Sequence, residues 1–133
     1  MREGITPPNM AHYRGYRFSP AVRAGGLLHL SGQLGLVSLT PPELAEGAEA
    51  QIAAAFDLQA QVLAEAGRDA AAVLEITSYH VTGPEGGLPE QMPMMMAAIA
   101  RRFAEPYPAW TAVEVAGLAL PGATVELRML ALA

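Results

Sequence analysis

Proline and glycine punctuation constrains this chain more than any other feature. Pro7-Pro8, Gly25-Gly26, Pro41-Pro42, Gly67, Gly83-Pro84, Gly86-Gly87 and Pro121-Gly122 cut it into short segments, none with the apolar run that a membrane span requires. Within each segment the spacing of apolar residues indicates what can form. Tyr16 to Val22 and Leu27 to Val37 read as two strands joined as a hairpin, with Gly25-Gly26 at the tip. Pro41-Pro42 ends the second strand and opens a helix predicted to run to Ala66. Proline tolerates a first helical turn, and Glu43, Glu46 and Glu49 favour the positive end of the helix dipole. The apolar residues Ile52, Ala55, Phe56, Val62, Leu63 and Ala66 recur at three- and four-residue steps, while Asp57, Gln61 and Glu65 fall on the other side. Gly67 is the stop.

Residues 72–82 are rich in β-branched and aromatic types and read as a strand, with Leu74, Ile76, Ser78 and His80 on one face. Residues 90–104 carry Met92, Met95, Met96, Ile99 and Phe103 at helical spacing despite Pro93, and the methionines suit adaptable core packing. Thr111 to Leu120 and Thr124 to Leu132 form the last two strands. Residues 1–15, broken by Pro7-Pro8-Asn9, read as an N-terminal arm before a single domain over 16–133. The order ββαβαββ predicts an α+β fold with two helices on one face of a largely antiparallel sheet. The other face, with many small or apolar residues, then invites burial against a second copy.

Composition narrows the chemistry. There is no cysteine, which excludes disulfides, thiol nucleophiles and cysteine-bound metals, and no lysine, which excludes Schiff-base catalysis. The net charge of −5 and the scattering of eight arginines argue against a nucleic-acid surface, and Arg101-Arg102 fit the negative end of a helix better than a phosphate patch. His12, His29 and His80 have no metal-ligand spacing; His29 and His80, inside apolar strands, read as neutral core or interface histidines. The glycine pairs lack phosphate-loop spacing and read as turns. No basic-then-apolar leader opens the chain, so a cytoplasmic location is expected.

Several segments, taken in order, resemble the Rid (RidA/YjgF) family: Phe18-Ser19-Pro20-Ala21-Val22, Gly25-Gly26-Leu27-Leu28, Leu30-Ser31-Gly32-Gln33, the helix from Gln51 to Gly67, Pro108-Ala109 before Thr111-Ala112-Val113-Glu114-Val115, and Val125-Glu126-Leu127. The resemblance implies a chorismate-mutase-like fold, a homotrimer, and ligand sites in the clefts between subunits. It also implies, for the deaminating branch, cofactor-free hydrolysis of an enamine or imine to a keto acid and ammonia, with no metal.

Where the resemblance implies an arginine that grips a substrate carboxylate, this chain has Trp110, a neutral single donor. Losing such a contact costs about 2–5 kcal/mol when the counter-charge is desolvated. Phe18 stands where the family has tyrosine, and the second-helix asparagine falls at Met95 or Met96. Two polar positions remain as catalytic candidates, Ser31 and Glu126, the latter as acid–base group. Arg128 shares the strand face of Glu126, either as its ion-pair partner or as a relocated cation. Ser31 reads more readily as a turn or strand hydroxyl bonded to backbone, and Trp110 either fills the vacated cleft or stacks on a planar ligand. The reading is a small-molecule site in the subunit cleft, with Trp110, Phe18 and Arg128 as ligand contacts. The alternative is an imine deaminase using Glu126 and Ser31; an endoribonuclease or translation inhibitor, as parts of the family are labelled, ranks last on charge.

Overall fold

In a computed structural model that describes all 133 residues, the chain forms a six-stranded sheet, a two-stranded sheet and two α-helices. The strands are β1 (Glu3–Ile5), β2 (Ala21–Ala24), β3 (Leu27–Leu34), β4 (Leu36–Leu39), β5 (Pro42–Leu44), β6 (Val73–His80), β7 (Ala109–Glu114) and β8 (Val125–Leu132), and the helices are α1 (Ala48–Glu65) and α2 (Leu88–Arg102). The main sheet runs β1-β2-β3-β8-β6-β7; every pairing is antiparallel except β6 with β7. Both helices cover one face, α1 over β8 and β3 and α2 beside β7. No helix is long and apolar enough to cross a membrane.

The core follows from alternation meeting helical period. Leu28 and Leu30, Ile76, and Val125, Leu127, Met129 and Ala131 point from the sheet to Ile52, Ala55, Phe56, Val62 and Leu63 of α1 and Met95 and Ile99 of α2. Burying these side chains stabilises the fold at roughly 1.5–3 kcal/mol for each large one. Arg102, in the last turn of α2, pairs with Asp57 at 3.2 Å and lies 5.2 Å from the centre of the Phe56 ring, tying the two helices together.

Five expectations need correction. The strand expected from Tyr16 begins only at Ala21; residues Pro8–Tyr16 instead form a 3-10 helix that buries Met10 and Tyr13, and β1 adds an edge strand. The segment read as an arm is thus packed onto the domain. The helix expected from Pro41-Pro42 begins at Ala48, because Leu36, Ser38 and Leu39 pair with Leu44, Glu43 and Pro42 in a hairpin, and Gly47 at φ +92° cannot continue a helix backwards. A bulge between Val73 and Glu75 makes Leu74 the unpaired residue, so it is exposed, while Ile76, Ser78 and His80 share the core face. Met96 is exposed although Met95 is fully buried, and the seventh strand stops at Glu114, well short of Leu120.

Candidate functional site

The Leu-Ser-Gly-Gln run contains a second bulge: Leu30 pairs with Met129 and Gln33 with Leu127, so Ser31 and Gly32 together oppose one residue, Arg128. The Gln59 amide of α1 fills the gap this leaves in the ladder, donating to Ser31 O at 2.9 Å and Leu127 O at 2.8 Å. The bulge lays the Gly32 backbone against the Glu126 carboxyl. A Cβ at Gly32 would stand 2.6 Å from Glu126 Cδ and Oε2, so only glycine permits this approach.

Glu126 lies on the sheet face away from the helices, in the wall of a cavity of about 420 Å³. The 3-10 helix contributes His12, Tyr13 and Tyr16 to that cavity, and the following turn contributes Phe18. Tyr16 and Phe18 stack at 6.3 Å with planes 21° apart, Tyr13 is 5.2 Å from Phe18, and His12 meets Tyr13 edge-on at 4.9 Å. Tyr13 donates its hydroxyl to Gln33 Oε1 at 2.8 Å, fixing the ring over buried Gln33. Leu36, Leu39 and Pro42 of the β4–β5 hairpin, with Ala119 and Leu120 from the loop after β7, close the remaining walls with apolar surface. No arginine lines the cavity. Burial pushes the Glu126 carboxyl above its ordinary range.

The sequence-derived site residues therefore divide. Phe18 and Glu126 meet in the cavity. Ser31 sits at the bulge but donates its hydroxyl to Ser19 O at 2.6 Å. Arg128 is exposed on the same face of β8 as Glu126, and the two ion pairs of the chain, Arg23–Glu3 and Arg102–Asp57, include neither residue. Of the two roles read for Arg128, the ion pair with Glu126 is not formed. Three cavity residues escaped the sequence reading: His12 and Tyr13 fall in the segment taken as an arm, and Tyr16 was taken as the start of a strand. Their signal was the three-residue spacing of Tyr13 and Tyr16, which a 3-10 helix turns to one side.

Trp110 lies on the opposite, helix-covered face, half-buried against the core. Its Nε1–H donates to Ser78 Oγ at 2.8 Å, and Ser78 Oγ lies 2.8 Å from His80 Nε2, whose Nδ1 is 2.7 Å from Gln91 Oε1. For a neutral imidazole the direction of every bond follows. The Gln91 amide donates to Val81 O, so its oxygen must accept from Nδ1–H of His80; Nε2 is then the acceptor, and Ser78, which accepts from an indole that can only donate, gives its proton to Nε2. His80 is held as the neutral Nδ1–H tautomer, and burial lowers its pKa to match. The expected neutral core histidine is this one; His29 is exposed on the uncovered sheet face. No cluster of three histidine, aspartate or glutamate side chains is placed to hold a metal ion.

Comparison with known proteins agrees with this architecture. A family model described as Endoribonuclease L-PSP matches residues 11–133. The RutC family protein YjgH of Escherichia coli (strain K12) is 36% identical over 119 residues, covering 90% of this chain and 85% of its own. A solved structure of a protein YJGH superposes with a TM-score of 0.82 at 33% identity, over 98% of this chain and 95% of its own. RidA from the Antarctic bacterium Psychrobacter sp. PAMC 21119 gives 0.75 at 28% identity, over 87% and 88%.

Proposed function

The chain belongs to the Endoribonuclease L-PSP family, the RidA/YjgF proteins, and from that premise we propose that it binds a small, planar and mostly apolar metabolite in the aromatic cavity beside Glu126. The observation that carries this reading is the cavity itself: about 420 Å³, walled by Tyr13, Tyr16, Phe18 and leucines, with one carboxyl at its edge. Its size and mixture of apolar wall with a few polar groups suit a metabolite. Saturation-transfer NMR against a panel of planar metabolites tests it; signal transfer from none of them, with the protein folded, would remove the reading.

The assembly we propose is a homotrimer, with the cavity in a cleft between subunits. In support, the cavity opens on the sheet face that neither α-helix covers, where Val113 and Leu132 are exposed and Leu130 is half-buried.

A second reading, hydrolysis of an imine or enamine, is favoured by one observation: a carboxyl, Glu126, whose pKa burial raises, stands in the cavity wall where it could exchange a proton with a leaving nitrogen or a water. The missing cation counts against it. A substrate carboxylate would enter a cavity whose acidic group is itself a carboxyl, and Trp110→Arg would place a guanidinium on the helix side of β7, away from the cavity of its own chain. The expected result is no ammonia release from freshly generated 2-imino acids above the solvent rate, for the native chain and for Trp110→Arg alike. RNA cleavage has less support still, since neither the net charge of −5 nor the cavity wall offers cations to phosphates.

A further inference from the structure

Charge separates the classes of small molecule that this cavity could hold. Within its own chain the Glu126 carboxyl is half-buried and lacks a cationic partner: Arg128 forms no ion pair, and the lining contains no arginine in a chain without lysine. A carboxylate drawn out of water without a counter-charge is unfavourable, and a ligand that brings a cation relieves it. Gly32 adds a geometric argument, because the bulge and the absent Cβ hold the backbone open where the carboxyl lies, leaving that group at the cavity wall.

The aromatic wall points the same way. Tyr16 and Phe18 present a stacked pair of rings, with Tyr13 tilted against Phe18, and such ring faces attract cations as well as flat apolar groups. An anion would meet the opposite conditions, a like charge and electron-rich rings with no cation in the wall. We infer that the ligand is a small aromatic amine, its ring against Tyr16 and Phe18 and its protonated nitrogen on the Glu126 carboxylate. This inference rests on the cavity being the ligand site.

Isothermal titration calorimetry at neutral pH with three matched probes tests it: tryptamine, the neutral alcohol tryptophol and the anion indole-3-propionate. Tryptamine is expected to bind about tenfold or more tightly than tryptophol, a difference of about 1.4 kcal/mol, with the propionate weakest. Glu126→Gln should erase the advantage of the amine over the alcohol. Raising the salt concentration with the native chain gives a second measure that needs no variant, weakening tryptamine and leaving tryptophol unmoved. Propionate binding as tightly as tryptamine, an amine preference that survives Glu126→Gln, or an amine affinity indifferent to salt would each overturn the inference while leaving the cavity as a ligand site. Absence of binding by all three would remove the cavity reading and this inference with it.

Discussion

Glu126 has its carboxyl half-buried beside Gly32, and burial raises its pKa above 4.5, so the folded chain retains a proton that the unfolded chain releases. Protons bound in the folded state in excess make stability fall as pH rises from 4.5 through the raised value. Glu126→Gln cannot ionise; thermal melts across the pH range should find it more stable than the native chain at neutral pH, with the advantage gone below pH 4.5. His80 has the opposite sign. Its pKa is lowered by burial, so the stability it contributes is complete above 6.5 and is lost as pH falls from there through the folded value. In the Glu126→Gln background this acid loss should persist, and the emission of Trp110, the one tryptophan, should shift with it, because an imidazolium cannot accept the Ser78 proton. Ser78→Ala leaves buried His80 Nε2 without a donor and the indole N–H without an acceptor; urea unfolding should show a loss of about 1–3 kcal/mol. Ser78 and His80 were legible as neighbours on one strand face; Gln91, which sets the tautomer, was not, because only the packing of α2 on the sheet brings it there.

Among the elements, α1 was the most legible, since Ile52, Ala55, Phe56, Val62 and Leu63 keep helical period over several turns and all are buried. Its beginning was not. Pro41-Pro42 satisfy the local rules for a helix start, yet Leu44 pairs with Leu36 and Ala45 N donates to Gly35 O, so hairpin pairing overrides propensity. The bulge at Ser31-Gly32 was likewise invisible, because it is held by Gln59, distant in sequence. Gln59→Leu should lose about 1–3 kcal/mol by leaving buried carbonyls unpaired, visible as a lower urea midpoint. It should also weaken tryptamine binding, since the bulge sets the Gly32 backbone against Glu126. An unchanged midpoint would mean that the ladder closes without the amide.

For the whole molecule the open question is what meets the uncovered sheet face. Leu130, paired with His29 on one side and Glu75 on the other, lies at its centre; Leu132 follows it two residues on along β8, and Val113 lies further out on β7. Light scattering after size exclusion should give about three times the 14.0 kDa chain mass for the proposed trimer. Leu130→Arg should reduce this to the monomer mass with an unchanged circular dichroism spectrum, because the substitution points away from the core. A monomer mass for the native chain would refute the assembly.

By itself the sequence determined the α+β class, the helix registers, the ordered motifs of the family and the absence of an arginine at Trp110, because each depends on residue type and local spacing. Tertiary structure decided the rest. It folded Pro8–Tyr16 into a helix that walls the cavity, put Trp110 and Glu126 of one chain on opposite faces of the sheet, and gave Ser31 to a backbone carbonyl. It also left Glu126 facing aromatic rings with no cation beside it. These outcomes depend on which strands pair, where bulges shift the register and which side chains arrive from elsewhere in the chain, and such long-range contacts leave no local period to read.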